Sequence, residues 1–128
     1  MLAVDTNVVI RFLTRDHPVQ SPRARDLFAS ADSWVSVTVL LETERVLRSV
    51  FAYSPERLCG AIRLLAGLPR VNLDRASEVE RALDLHAAGM DFADALHLAL
   101  SADCEAFVSF DRRRAEIAAR FGLAVREP

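Results

Sequence analysis

The hydrophobic positions of this 128-residue chain change their period several times, and each change marks an element. The chain opens on a short unbroken apolar run, Leu2-Ala3-Val4, that ends at Asp5. Runs of this kind read as parallel strands buried on both faces. Val8 to Leu13 is long enough for two helical turns, with Asp5 or Thr6 as N-cap. Asp16-His17-Pro18 stops that helix, and Ser21-Pro22 carries the cap and N1-proline signature of a second one over Arg23 to Ala31. Ser33 to Val37 is rich in β-formers and predicts the second strand. Thr38 is the expected cap of a helix to about Phe51, with Val39, Thr43, Val46, Leu47 and Val50 on its apolar face. Ser54-Pro55-Glu56 repeats the signature ahead of Leu58, Ile62, Leu65 and Leu68, which predicts a helical hairpin.

The same alternation continues to the end of the chain. Arg70 to Leu73 predicts a third strand, and Asp74 caps a helix carrying Val79, Ala82, Leu83 and Leu85 that stops at Gly89. Asp91 caps a helix from Phe92 to about Ala102, Ala106 to Phe110 is the fourth strand, and Asp111 caps a helix to Gly122 before a fifth strand, Leu123 to Val125. Strands alternating with helices predict an α/β fold, a three-layer α/β/α arrangement around a central parallel sheet of four to five strands. The length is that of one domain, residues 1–128, burying roughly two-thirds of its unfolded surface.

Composition narrows the function classes. Hydrophobic content of 52% with four Gly and five Pro excludes a disordered or fibrous chain. No basic segment precedes an apolar block at the N-terminus and no apolar run approaches the ~18 residues of a membrane span, so a cytoplasmic protein without a membrane partner is expected. Cys59 and Cys104 stand far apart without a CxxC spacing, and both are expected as buried thiols. Sixteen basic against eighteen acidic residues give a net charge of -2, and all sixteen are Arg. The absence of Lys excludes Schiff-base chemistry and a phosphate-cradling lysine, and leaves the guanidinium fork as the only strong phosphate grip.

On the predicted sheet, acids fall at one edge. Asp5 ends the first strand, Glu42 lies in the first turns after the second, Asp91 and Asp94 open a helix, and Asp111 ends the fourth strand. Glu44 has Arg48 at i+4 and reads as a surface ion pair, whereas Glu42 has apolar Val46 there and borders the buried face. Asp91 and Asp94 also fit a variant capping box, and Asp5 and Asp111 also fit plain caps. His97 has no Cys or second His at ligand spacing and is assigned to structure. Carboxylates crowded at one edge repel one another unless a hard cation sits among them. Oxygen-only ligands favour Mg²⁺ or Mn²⁺, which activate water and clamp a phosphodiester during in-line hydrolysis.

Asp5-Thr6-Asn7, Val39-Leu40-Leu41-Glu42, Phe92-Ala93-Asp94-Ala95-Leu96 and Ser109-Phe110-Asp111, in this order and spacing, resemble the acidic signature of the PIN-domain nucleases. Within that family the chain is similar to the VapC-type ribonuclease toxins of toxin-antitoxin pairs. The resemblance runs from residue 2 to about 125. It implies a metal-dependent endoribonuclease using Mg²⁺ or Mn²⁺, commonly a homodimer, inhibited by a small antitoxin protein. Carried over by position, the metal-binding and catalytic acids are Asp5, Glu42, Asp94 and Asp111, and the polar residue after the first acid is Thr6 or Asn7; Ser109 and Asp91 are candidates for support, Asp91 as an additional acid whose role the resemblance leaves open. Ser109 stands where Thr is common, a mild departure. Phosphate contacts of the RNA substrate are placed by chain position on Arg11, Arg15, Arg112, Arg113 and Arg114.

Other classes fit less well. A two-component receiver would need an early acid pair and a late Lys, a haloacid-type phosphatase would carry an acid where Asn7 stands, and neither GxGxxG nor a P-loop is present. The remaining alternative is a non-catalytic α/β interaction module whose strand-end acids are helix caps.

Overall fold

In the computed structural model, which describes residues 1–128, the opening apolar run pairs at once. Leu2–Ala3 (β1) lies parallel to Ser33–Val35 (β2), and the amides of Leu2 and Val4 donate to the carbonyls of Asp32 and Trp34 at 2.8 and 3.1 Å. Val71–Leu73 (β3) pairs with the other side of β2, also parallel, giving the order β1-β2-β3. Parallel neighbours require crossovers. These are the helix pair α1 (Thr6–Thr14) and α2 (Gln20–Ser30), then the pair α3 (Val37–Ser49) and α4 (Pro55–Ala66).

Helix α1 packs against α2 and α3, α3 packs against α4, and α4 packs on β3. The rings of Phe12 and Phe28 meet edge to face with centroids 5.1 Å apart, which ties α1 to α2. Val9, Val35, Leu40, Leu47, Ile62 and Leu65 are fully buried. Together these elements form one compact unit, Met1–Ala76.

Ser77–Pro128 is a second compact unit. It holds α5 (Ala76–Ala87) but for its first residue, α6 (Phe92–Leu100), β4 (Phe107–Val108), α7 (Arg112–Arg120) and β5 (Val125–Arg126). Helix α6 is apolar nearly all round and buries Phe92, Ala95, Leu96, Leu98 and Ala99. Strand β4 pairs in parallel with β5, and α7 packs against β5.

The expected α/β class is therefore observed, with seven helices and only parallel pairings. The strand count of the sheet is corrected. Five strands exist, but they form a three-stranded and a two-stranded ladder, not one sheet of four to five. At β4 only Phe107 and Val108 of the run Ala106 to Phe110 are in the ladder. Ser109 still donates its amide to Arg126, but its hydroxyl accepts the amide of Asp111 at 3.0 Å and turns the chain into α7.

Several helix starts also differ. Ser36, not Thr38, caps α3, accepting the amide of Val39 at 3.2 Å. Helix α2 starts three residues before Arg23, without a side-chain cap from Val19. There the ring nitrogen Nδ1 of His17 accepts the amides of Val19 and Gln20, at 3.2 and 2.9 Å, and takes over the capping role expected of Ser21. Ser54 caps α4 with Pro55 at its first turn, as the signature predicts. Cys59 is buried, but Cys104 is exposed in the turn after α6.

The expected pair of Glu44 and Arg48 forms, at 2.9 Å, but it is not a surface pair. Glu44 is only 4% exposed and its charge is met by the half-exposed Arg48. The i+4 spacing is legible in sequence, whereas the side of the helix it falls on depends on packing. Removing one partner of a buried pair costs more than the pair contributes, because the other charge is left desolvated. Arg48→Leu is therefore expected to destabilise the protein by about 1–3 kcal/mol. Adding Glu44→Leu to it should recover most of that loss, as read from urea unfolding midpoints; a double variant no more stable than the single would show that the pair's charges do not matter.

Candidate active site

Asp5 stands one residue past the strand-forming run and caps α1, its carboxylate accepting the amide of Thr6 at 2.8 Å. A carboxylate has about four acceptor positions, so one capping bond leaves most of its capacity free. Its side chain borders a cavity of about 520 Å³ that is also lined by Thr6, Asn7, Arg11, Asp16 and Glu42, with Val46, Val50 and Phe51 as the apolar wall. Asp5 and Glu42, brought together in sequence only by the expected edge, thus share one cavity. Glu42 is exposed on α3, one residue before buried Thr43 and Glu44.

Asp16 is a third acid of this cavity, and in sequence it reads only as part of a helix-stopping segment. Helix α1 ends at Thr14, and Arg15 takes a left-handed conformation (φ 54°) whose amide donates back to Arg11. That turn folds Asp16 back over the last turn of the helix. The Thr14 hydroxyl donates to its carboxylate at 2.7 Å and the Arg11 guanidinium at 3.1 Å. The hydroxyl bond, more than the guanidinium, holds the Asp16 carboxyl below its ordinary value of 3.8, against a smaller opposing effect of desolvation. The clue in the sequence was a Thr two residues before the acid and an Arg five before it, all within reach of one helix end.

In the second unit, Asp91 caps α6, accepting the amide of Asp94 at 3.3 Å, half of the predicted capping box. Asp94 spends its charge elsewhere. Its carboxylate meets the Arg114 guanidinium at 2.6 Å, with side-chain exposures of 29% and 14%. Arg114 also donates to the Ser109 hydroxyl at 3.3 Å and lies 5.4 Å from the centre of the Phe107 ring, while its buried Nε has no partner. Asp111 caps α7, accepting the amide of Arg114 at 3.2 Å.

The turn that presents Asp91 and Asp94 is pinned by a residue that carries no role in the sequence reading. His86 is buried, and its Nδ1 lies 2.7 Å from the Met90 carbonyl. A carbonyl can only accept, so Nδ1 carries the proton. The Phe92 ring packs on this imidazole edge to face at 5.7 Å, and Gly89 makes the turn with φ +112°. His97, by contrast, is exposed on α6.

Of the predicted phosphate-binding arginines, three are already engaged by carboxylates, Arg11 by Asp16, Arg114 by Asp94 and Arg112 by Glu127. Arg112 forms an exposed pair with Glu127 at 3.3 Å, and Arg113 is exposed beside the Gly89 turn. Arg15 is exposed and borders a separate cleft of about 300 Å³ with His17 and Arg25.

No three His, Cys, Asp or Glu side chains stand close enough together to cage a metal ion. The donors nevertheless fit one chemically. The titratable groups around the first cavity are carboxylates and one guanidinium, with no thiol or imidazole. Such an oxygen set matches hard divalent cations, not zinc. An α/β protein with carboxylates at strand ends and helix N-termini, and guanidiniums beside them, has the equipment of a phosphodiester hydrolase. The sequence matches the PIN domain family from residue 2 to residue 120, and the chain belongs to that family. PIN domains are generally metal-dependent nucleases, so membership supports nuclease activity in general. No curated protein matches it.

Asp16 supplies a pH test of the first cavity's wall. A carboxyl held below 3.8 in the folded state contributes stability above that value and loses it as pH falls through the lower folded value. Asp16→Asn should therefore melt lower than wild type at pH 7, with the gap closing below about pH 3.8. Melting curves from pH 2 to 7 test this on a scale of about one carboxyl titration; parallel curves throughout would remove Asp16 from the clasp.

Proposed function

We propose that this protein is a metal-dependent endoribonuclease acting as the toxin of a toxin-antitoxin pair, with Asp5, Glu42, Asp94 and Asp111 as its catalytic and metal-binding acids. The observation that carries this reading is the acid-lined cavity at the end of β1, in a chain that belongs to a nuclease family. Its match runs through both compact units, which supports treating residues 1–128 as one nuclease domain. A helix-capping interaction module is disfavoured by the same membership. No helix is long and apolar enough to cross a membrane, in keeping with a cytoplasmic site of action. A homodimer and a small antitoxin partner complete the proposal, on the resemblance of the four acidic motifs.

Mg²⁺ or Mn²⁺ held by those acids would supply the activated water and neutralise charge developing on the phosphate oxygens. The chain's own residues have separate duties. Asp5 keeps its capping bond to Thr6, which fixes the carboxylate at the mouth of the cavity while its other acceptor positions stay free. Asn7, next on α1, borders the same cavity as a neutral donor and acceptor. Ser109 and Asp91 act in support by holding the helix starts that bear Asp111 and Asp94. Arg15 and Arg113 are exposed guanidiniums offered to the RNA backbone, with Arg112, Arg11 and Arg114 contributing from positions already paired to acids.

Purified protein should cleave RNA in Mg²⁺ or Mn²⁺ and stop on addition of EDTA. Asn caps a helix about as well as Asp, so Asp5→Asn should keep the wild-type melting temperature while losing activity at least about 100-fold, the upper end of what losing even an outer-shell partner of a metal ligand costs. Asp94→Asn should also lose activity but melt lower, because it leaves Arg114 inside without its charge partner. Full cleavage by both variants would sink the assignment of the acids.

A further inference from the structure

Beside the acid-lined cavity lies a second one, of about 390 Å³, between α1 and α2. One face of α1 contributes Asn7, Val8 and Arg11, and one face of α2 contributes Gln20, Arg23 and Leu27. The two cavities share Asn7 and Arg11, so they adjoin. Their charges differ in sign. The first has three carboxylates and one guanidinium on its wall, while the second has two guanidiniums and no carboxylate.

Resting on the nuclease reading above, we propose that this groove is a nucleotide subsite for the RNA strand, in which Arg11 and Arg23 grip a backbone phosphate neighbouring the one attacked. Arg11 is preset for the task. Its Nε donates to the Gln20 side chain at 2.9 Å and one terminal nitrogen donates to Asp16 at 3.1 Å. A guanidinium has five N–H donors in a rigid fork, so these bonds fix its plane and leave donors over. Asp16 balances the charge of Arg11, and the net positive charge of the groove therefore comes from Arg23, an exposed side chain outside every ion pair of the chain. Half-buried Val8 and Leu27 give an apolar wall suited to a sugar or base face.

The juxtaposition selects a polynucleotide over an acidic peptide. A nucleic-acid strand repeats its negative charge along the backbone, so one phosphate can lie at the acids, under a cation, while the next lies on the arginines. A peptide carboxylate in the groove would gain nothing from continuing into a cavity lined by three acids.

The test is binding of a fluorescein-labelled single-stranded RNA oligonucleotide, read by anisotropy over a salt series in EDTA, with cleavage measured separately in Mn²⁺. One phosphate contact on a single strand changes the slope of log K against log salt by about 0.7. Arg23→Gln should make the slope shallower by that amount and raise KM with kcat nearly unchanged, and Arg23→Lys should restore most of the slope. Arg25→Gln, on the same helix but outside the groove, should leave the slope as in wild type. An unchanged slope in Arg23→Gln, with wild type still cleaving RNA, overturns the subsite and leaves the nuclease reading standing. The same result joined to lost binding of a labelled polyglutamate peptide would assign the groove to an acidic protein partner instead. Wild type that neither binds nor cleaves RNA overturns both.

Discussion

An α-helix begins with four backbone N–H groups that have no partner within it, and this deficit decides where the acids of the chain stand. Asp5, Asp91 and Asp111 each meet part of it, at α1, α6 and α7. Negative charge is favoured at that end by the helix dipole, so the same positions that need a cap also hold a carboxylate in place. A cap and a functional acid are then not competing explanations. A bond of 2.8 Å from Thr6 occupies one acceptor position of Asp5 and orients the rest. The folding requirement sets the carboxylate, and the cap leaves its other acceptor positions free.

The second constraint is the handling of like charge. A chain with eighteen acids and no Lys must neutralise its buried or half-buried carboxylates with arginine. It does so in two places, Arg48 on Glu44 and Arg114 on Asp94, and Arg11 meets the exposed Asp16 in the same way. The guanidinium's planar fork suits this, since it can hold an acid with one nitrogen and a second acceptor with another. Arg11 does this with Asp16 and Gln20, and Arg114 with Asp94 and Ser109. The near-neutral net charge hides these local pairings, which is why composition alone says so little about nucleic-acid binding here.

Much of the fold was legible because its signals are local. The proline after Ser54, the acid before Phe92 and the unbroken run before Asp5 each act through neighbours within a few residues, and each marks its element correctly. What was not legible depends on contacts distant in sequence or on a choice among adjacent candidates. Ser36 and Thr38 both can cap, their hydroxyls lie 2.9 Å apart, and it is Ser36 that takes the extended backbone of an N-cap. His17 as a ring-nitrogen cap has no sequence signature at all. Ladder membership of the two-residue strand β4 is likewise a tertiary property, since a run of β-formers specifies a strand and not its neighbour.

The candidate site follows the same division. Asp5, Asp94 and Asp111 carry a sequence signal because each stands at a strand end or in the first turn of a helix, and Glu42 is singled out by motif order and by apolar Val46 at i+4. Asp16 could not, because it enters the cavity through a reversal of the chain: Arg15 adopts φ 54°, and the acid returns to the helix that preceded it. A left-handed residue that is not glycine is held there by what surrounds it. Here the Thr14 hydroxyl and the Arg11 guanidinium do the holding, and Gln20 on the next helix completes the grip on Arg11. The loop between α1 and α2 is thus a piece of polar architecture with a defined position, and it braces Arg11, which with Asn7 is shared by the acid-lined cavity and the arginine-lined one. A substitution anywhere in this short network changes both cavities together, so variants of Arg11, Asp16 or Gln20 report on the wall, whereas variants of Asp5 or Arg23 report on one side of it.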